Sequence, residues 1–111
     1  MMSSSVLRLT MNLFKILSDV NVLNIILKLK KGEKAFQELQ KELELSQSNL
    51  SHLMKRLTDA KIISFRREER KKYYKIKNTN IFKILTETMA FLMEMQKETI
   101  EELKDFSLYD I

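Results

Sequence analysis

Gln47, Ser48, Asn49, Ser51, His52 and Lys55 lie within one nine-residue stretch, with Arg56 directly after it. At helical spacing the residues i, i+1, i+4, i+5 and i+8 share a face, which gathers Gln47, Ser48, Ser51, His52 and Lys55. Such a face can read base edges. Gln and Asn can grip adenine through N6 and N7, Ser can serve several bases, and Lys, Arg or a protonated His can reach guanine or phosphate. A second set follows at once: Arg66, Arg67, Arg70, Lys71 and Lys72, inside RREERKKYY. These cations can grip phosphates or enter a minor groove. Tyr73 and Tyr74 read first as strand and core residues, but a phenolic hydroxyl can also donate to a phosphate, so Tyr73 joins the set. Alone, the helix face is an ordinary solvated face and the charge run an ordinary exposed tip. Lying side by side, they point to double-stranded DNA.

Other chemistries find little here. The chain has no Cys and one His, so thiolate metal sites, cysteine nucleophiles and disulfides are excluded. It has no phosphate-binding loop and no cluster of metal-ligand types, so neither an enzyme nor a cofactor or metal site is expected. Glu98, Glu101, Glu102 and Asp105 read as a solvated helix face rather than a hard-metal site. The net charge of +5 is unevenly spread: residues 61–79 hold 8 cations and 2 acids, whereas residues 80–111 hold 3 cations and 7 acids. Positive charge focused on one segment suits a polyanion-binding edge better than general solubility. The opening MMSSSVLRLT has neither a basic n-region nor a long apolar run, and no segment reaches the ~18 apolar residues that span a bilayer. A cytoplasmic protein without a membrane partner is expected.

The elements that must position these residues follow from periodicity. With no Pro and one Gly in 111 residues, the chain should be one mainly α domain. Residues 6–17 carry two apolar stripes, Val6, Leu9, Leu13 and Ile16 on one side and Leu7, Met11 and Phe14 on another. A second helix over 20–30 starts at a Ser18 or Asp19 cap and stops at Gly32. Residues 36–43 form a third, and residues 47–60 a fourth, capped by Ser46, with Leu50, Leu53, Met54 and Leu57 inward. Helices three and four make a helix-turn-helix over 36–60. Ile62, Ile63 and Phe65 favour a strand, and Tyr73, Tyr74 and Ile76 its partner, giving a two-stranded β-hairpin over 62–77 with Arg66 to Lys72 as its exposed tip. The last helix, 81–104, repeats Ile81, Leu85, Thr88, Leu92, Met95, Thr99 and Leu103 near a 3.5 spacing and has a second apolar side. Leu9, Leu13, Leu85, Leu92 and Met95 are therefore expected in a two-fold dimer interface. The methionines of this helix read as packing residues rather than a ligand groove.

At this point the chain resembles the ArsR-type winged helix-turn-helix transcriptional regulators, with the MarR-type regulators as close neighbours. LFKILSDVNVLNIILKLKKGE is similar to the family's opening helix pair, FQELQKELELSQSNLSHLMKRLTDAKII to its helix-turn-helix, and RREERKKYYKI to its wing. The resemblance implies a homodimer that binds a pseudo-palindromic site in double-stranded DNA, probing it with two recognition helices, and represses by occluding polymerase. The alternative is a winged-helix architectural or protein-interaction module without operator specificity. Several positions depart from the pattern. Lys34, Ala35 and Phe36 stand where metal-sensing members carry thiols, and the last helix has no His, so no metal is expected. Val20, Asn21 and Val22 replace the usual Pro-Thr-Arg. Lys61 and Glu69 occupy positions where the family usually has Gly, so a left-handed backbone there would cost up to about 1 kcal/mol.

Overall fold

The computed structural model describes residues 3–109; the side chains of Leu103 and of residues 105–109, Asp105 among them, lie outside the described residues. The elements run α1 (Ser4–Leu17), α2 (Val20–Leu29), β1 (Lys34–Ala35), α3 (Phe36–Leu43), α4 (Gln47–Asp59), β2 (Ile63–Glu68), β3 (Lys71–Ile76) and α5 (Asn80–Tyr109). They form two compact units that divide after Asn78.

In the first unit three of the four helices start where a short polar side chain satisfies an otherwise orphaned N–H. Ser3 Oγ accepts from Val6 N–H at 3.2 Å, Asp19 Oδ1 from Asn21 N–H at 2.8 Å, and Ser46 Oγ from Asn49 N–H at 3.1 Å. Before α3 stands Ala35, which has no acceptor. There only the reciprocal half of a capping box exists, the Glu38 carboxylate accepting from Ala35 N–H at 3.1 Å. The predicted inward residues of α4 are all buried, and so are Val22, Ile25, Ile26 and Leu29 of α2, Leu39 of α3 and Ile62, Ile63 and Tyr74 of the sheet region. Truncating a fully buried Leu such as Leu50 or Leu57 to Ala would cost about 2–5 kcal/mol, which is why α4 holds its apolar face inward and leaves the polar one exposed. α1 and α2 are bent by 86° from one another, and no residue of α1 is buried.

The sheet holds one strand more than the expected hairpin. Lys34 and Ala35, directly before α3, pair with Tyr74 and Tyr73, so the order is β1-β3-β2, all antiparallel. The hairpin itself is also longer than its charge suggests. Arg66–Glu68 and Lys71–Lys72 are ladder residues, with Arg67 opposite Lys72 and Glu68 opposite Lys71. The turn consists only of Glu69 (φ 48°) and Arg70 (φ 70°), both left-handed, as a two-residue type I′ connection demands.

The second unit is the helix α5, which runs five residues past its expected end. Met89, Phe91, Leu92, Met93, Met95 and Ile100 are exposed along it. No single helix among the described residues is long and apolar enough to cross a membrane.

Candidate nucleic-acid interface

The helix α4 divides its polar residues between flanks. Gln47, Ser48, Asn49, Ser51, His52 and Lys55 are all exposed. Gln47 and Ser51 look toward the hairpin. Together with Gln37, Arg67, Arg70, Lys71, Lys72 and Tyr74 they line an open cavity of 270 Å³. Ser51 and Lys55 share a neighbouring cavity of 400 Å³ with Phe65, Lys72 and Tyr74. Lys55 also pairs with Asp59 at 3.2 Å, one helical turn on, but both ends are largely exposed and the pair is screened. Arg56 lies elsewhere. It is half-buried and lines a groove with Leu9, Asn12, Leu13 and Ile16 of α1, on the flank of α4 turned away from the hairpin.

Strand alternation sorts the hairpin cations in the same way. Phe65, Arg67, Lys72 and Tyr74 share the sheet face turned toward α4, and Arg70 and Lys71 reach it from the turn. Lys72 Nζ sits 4.6 Å over the Phe65 ring. Burial pushes the Tyr74 hydroxyl's pKa up, and the Arg67 guanidinium partly opposes that rise. Arg67 and Lys72 stand directly opposite each other, a like-charge cross-strand pair that destabilises an isolated hairpin and suits one that meets a polyanion.

Arg66 and Tyr73 fall on the other face. Arg66 lies 4.6 Å over the Tyr73 ring. Its Nε and Nη2 donate to Glu33 at 2.7–3.2 Å and its Nη1 to Glu68 at 2.6 Å. These bonds hold the Glu33 carboxyl below the usual carboxylate range and the guanidinium above its ordinary value. The sequence set is thus split: Gln47, Ser51, Arg67, Arg70, Lys71 and Lys72 converge on one cavity, whereas Arg56, Arg66 and Tyr73 point to protein surroundings. Gln37, at the start of α3, joins the cavity lining without having been singled out. Its only sequence signal is its place in the first turn of the helix that leads into the turn.

Leu9, Leu92 and Met95 are exposed, and Leu13 and Leu85 are half-buried. Among the described residues no group of three or more His, Asp or Glu side chains could hold a metal ion.

A short strand leading into a helix-turn-helix, followed by a basic β-hairpin against the second helix, defines a winged helix-turn-helix, the fold of DNA-binding transcriptional regulators rather than of enzymes. Residues 19–64 match the model of the family described as bacterial regulatory protein, arsR family. The chain is similar to Rv0081 of Mycobacterium tuberculosis, with 23% identity, a TM-score of 0.78 and coverage of 88% of this chain and 99% of that one. It is also similar to HlyU of Vibrio cholerae, at 27% identity and TM-score 0.68 over 81% of this chain and 97% of that one. A third is the homodimeric winged helix-turn-helix DNA-binding domain Mb0332 of Mycobacterium bovis, a possible ArsR-family transcriptional regulator, at 19% identity and TM-score 0.73, covering 87% and 93%. No curated protein matches the sequence.

Proposed function

We propose that this chain is a cytoplasmic, homodimeric, sequence-specific double-stranded-DNA-binding transcriptional repressor. The observation that carries the reading is the convergence of Gln47 and Ser51 of α4 with Arg67, Arg70, Lys71 and Lys72 of the wing on one open cavity. In this reading α4 enters the major groove with Gln47, Ser48, Ser51, His52 and Lys55 toward base edges, and the wing cations grip the flanking phosphates. Asn49 stands at the rim of that face. Arg56 and Tyr73 take supporting places within the protein.

The dimer rests on the exposed apolar residues of α1 and α5, here Leu9, Leu92 and Met95 with Leu13 and Leu85 beside them. The similar Mycobacterium bovis domain is homodimeric. Two-fold symmetry would set the two recognition helices about 34 Å apart on a pseudo-palindromic site, and a protein seated there occludes polymerase.

The test is binding of labelled duplexes recovered by selection from a random pool, measured across salt concentrations against random-sequence competitor. Selected duplexes should bind at least ~10³-fold more tightly than random ones at physiological salt. Equal affinity for all sequences would refute operator reading and leave an architectural module. No binding even at low salt would refute the DNA reading altogether.

A further inference from the structure

Arg66 belongs to the wing's charge run by sequence, but its surroundings set it apart. The sheet order is β1-β3-β2. Glu33 immediately precedes β1 at one edge, Arg66 lies on β2 at the other, and the Tyr73 ring on the central strand lies beneath the guanidinium at 4.6 Å. The Glu33–Arg66 contact therefore crosses the whole sheet on the face away from α4. β1 runs directly into α3, yet it is tied to β3 by only two residue pairs, Lys34 with Tyr74 and Ala35 with Tyr73. So short a ladder is a weak hinge between the helix-turn-helix and the wing. A forked guanidinium–carboxylate contact that spans it adds directional stiffness. Glu68 occupies the remaining side of the guanidinium at 2.6 Å. To reach a phosphate Arg66 would have to leave both carboxylates, whereas Arg67, Arg70 and Lys71 form no ion pair among the described residues.

We propose that Glu33 and Arg66 form a strut that fixes the wing's pitch against the helix-turn-helix, which makes both of them positioning residues for duplex binding and not contacts to the duplex. The strut rests on the DNA-binding reading above. It carries an unusual sign. Removing a carboxylate beside a polyanion site should tighten binding by simple electrostatics, but removing this one loosens the wing and weakens it.

The experiment uses the full chain, a short fluorescent random-sequence duplex at low salt, and amide hydrogen exchange on the DNA-free protein. Glu33→Gln should weaken duplex binding by about three- to fivefold, the upper range for an exposed ion pair. It should leave the salt slope unchanged and speed exchange of the β1 and β3 amides. Arg66→Gln should behave alike. The charge swap Glu33→Arg with Arg66→Glu should recover most of the affinity and the protection, as a phosphate contact could not. Tighter or unchanged binding by Glu33→Gln, or a salt slope flattened by about one unit in Arg66→Gln, overturns the strut. If the unaltered protein binds no duplex, the proposed function fails on that result alone. Unchanged exchange in Glu33→Gln would then separately remove the strut.

Discussion

Lys61 is held where a lysine should not be. Its φ is 62°, in the left-handed region, two residues beyond Asp59, the last residue of α4. Two hydrogen bonds keep it there: Lys61 N–H donates to the Thr58 carbonyl at 3.0 Å and Ile62 N–H to the Leu57 carbonyl at 3.1 Å. That pair of bonds is a Schellman motif, and the buried Ile62 anchors its far side. A side chain with a Cβ loses about 1–2 kcal/mol in this conformation, and glycine loses about 0.5–1 kcal/mol more backbone entropy on folding. The net gain from Lys61→Gly is smaller again, because a cation beyond a helix C-terminus contributes about 0.3–1 kcal/mol that the variant gives up. Comparing Lys61→Gly with Lys61→Ala cancels the charge and isolates the backbone. Gly should exceed Ala by about 1 kcal/mol, which for a urea slope of about 2 kcal/mol/M is roughly 0.5 M in midpoint. Urea unfolding followed by far-UV circular dichroism, at one protein concentration so that any dimer linkage is equal, reads the difference. Equal midpoints, or a higher one for Ala, would refute the argument that strain at Lys61 is relieved by removing its Cβ.

Three further outcomes are expected. Arg67→Ala should weaken binding to selected and random duplexes alike and flatten the plot of log affinity against log salt by about one unit; a loss confined to one base position would contradict a phosphate contact. Leu92→Glu or Met95→Glu puts a charge on the exposed apolar side of α5 and should halve the mass seen by light scattering if that side is the dimer seam. Hydrogen bonding from Lys34 at 3.1 Å holds the Glu42 carboxyl below its usual range. A carboxyl lowered on folding adds stability above its unfolded pKa and loses it as pH falls, so thermal scans from about pH 5 downward should show a shallower acid loss in Glu42→Gln than in the unaltered chain, a small effect for so exposed a pair.

Periodicity made the helices legible. The apolar spacing of α4 named its four buried residues, Ser46 marked its start by cap chemistry, and the start of α2 narrowed to Ser18 or Asp19, of which Asp19 is the cap. What escaped is non-local. Lys34–Ala35 is too short for any period-two signal, and becomes a strand only because Tyr73 and Tyr74 lie alongside. The bond between Glu33 and Arg66 joins residues 33 apart in sequence, so nothing near either one announces it. Arg56 looked equivalent to Lys55 as a cation on the recognition helix, but one residue is a 100° turn, enough to move it from the open face to the groove beside α1.

RREERKK reads as a single charged loop because composition carries no register. The two-residue turn at Glu69 and Arg70 converts it into paired strands up to Glu68 and from Lys71. The conversion costs left-handed strain at two residues that both carry a Cβ, but the mirror-image turn matches the strands' twist and locks a pairing in which Arg67 faces Lys72. Pleating then gives adjacent arginines opposite faces. Arg67 joins the cavity beside α4, and Arg66 crosses the sheet to Glu33. A slip of one residue would exchange them, setting Arg66 toward the helix and leaving Glu33 without its partner. The strained turn therefore does more than close a hairpin: it decides which cations are available to a phosphate and which one holds the wing in place.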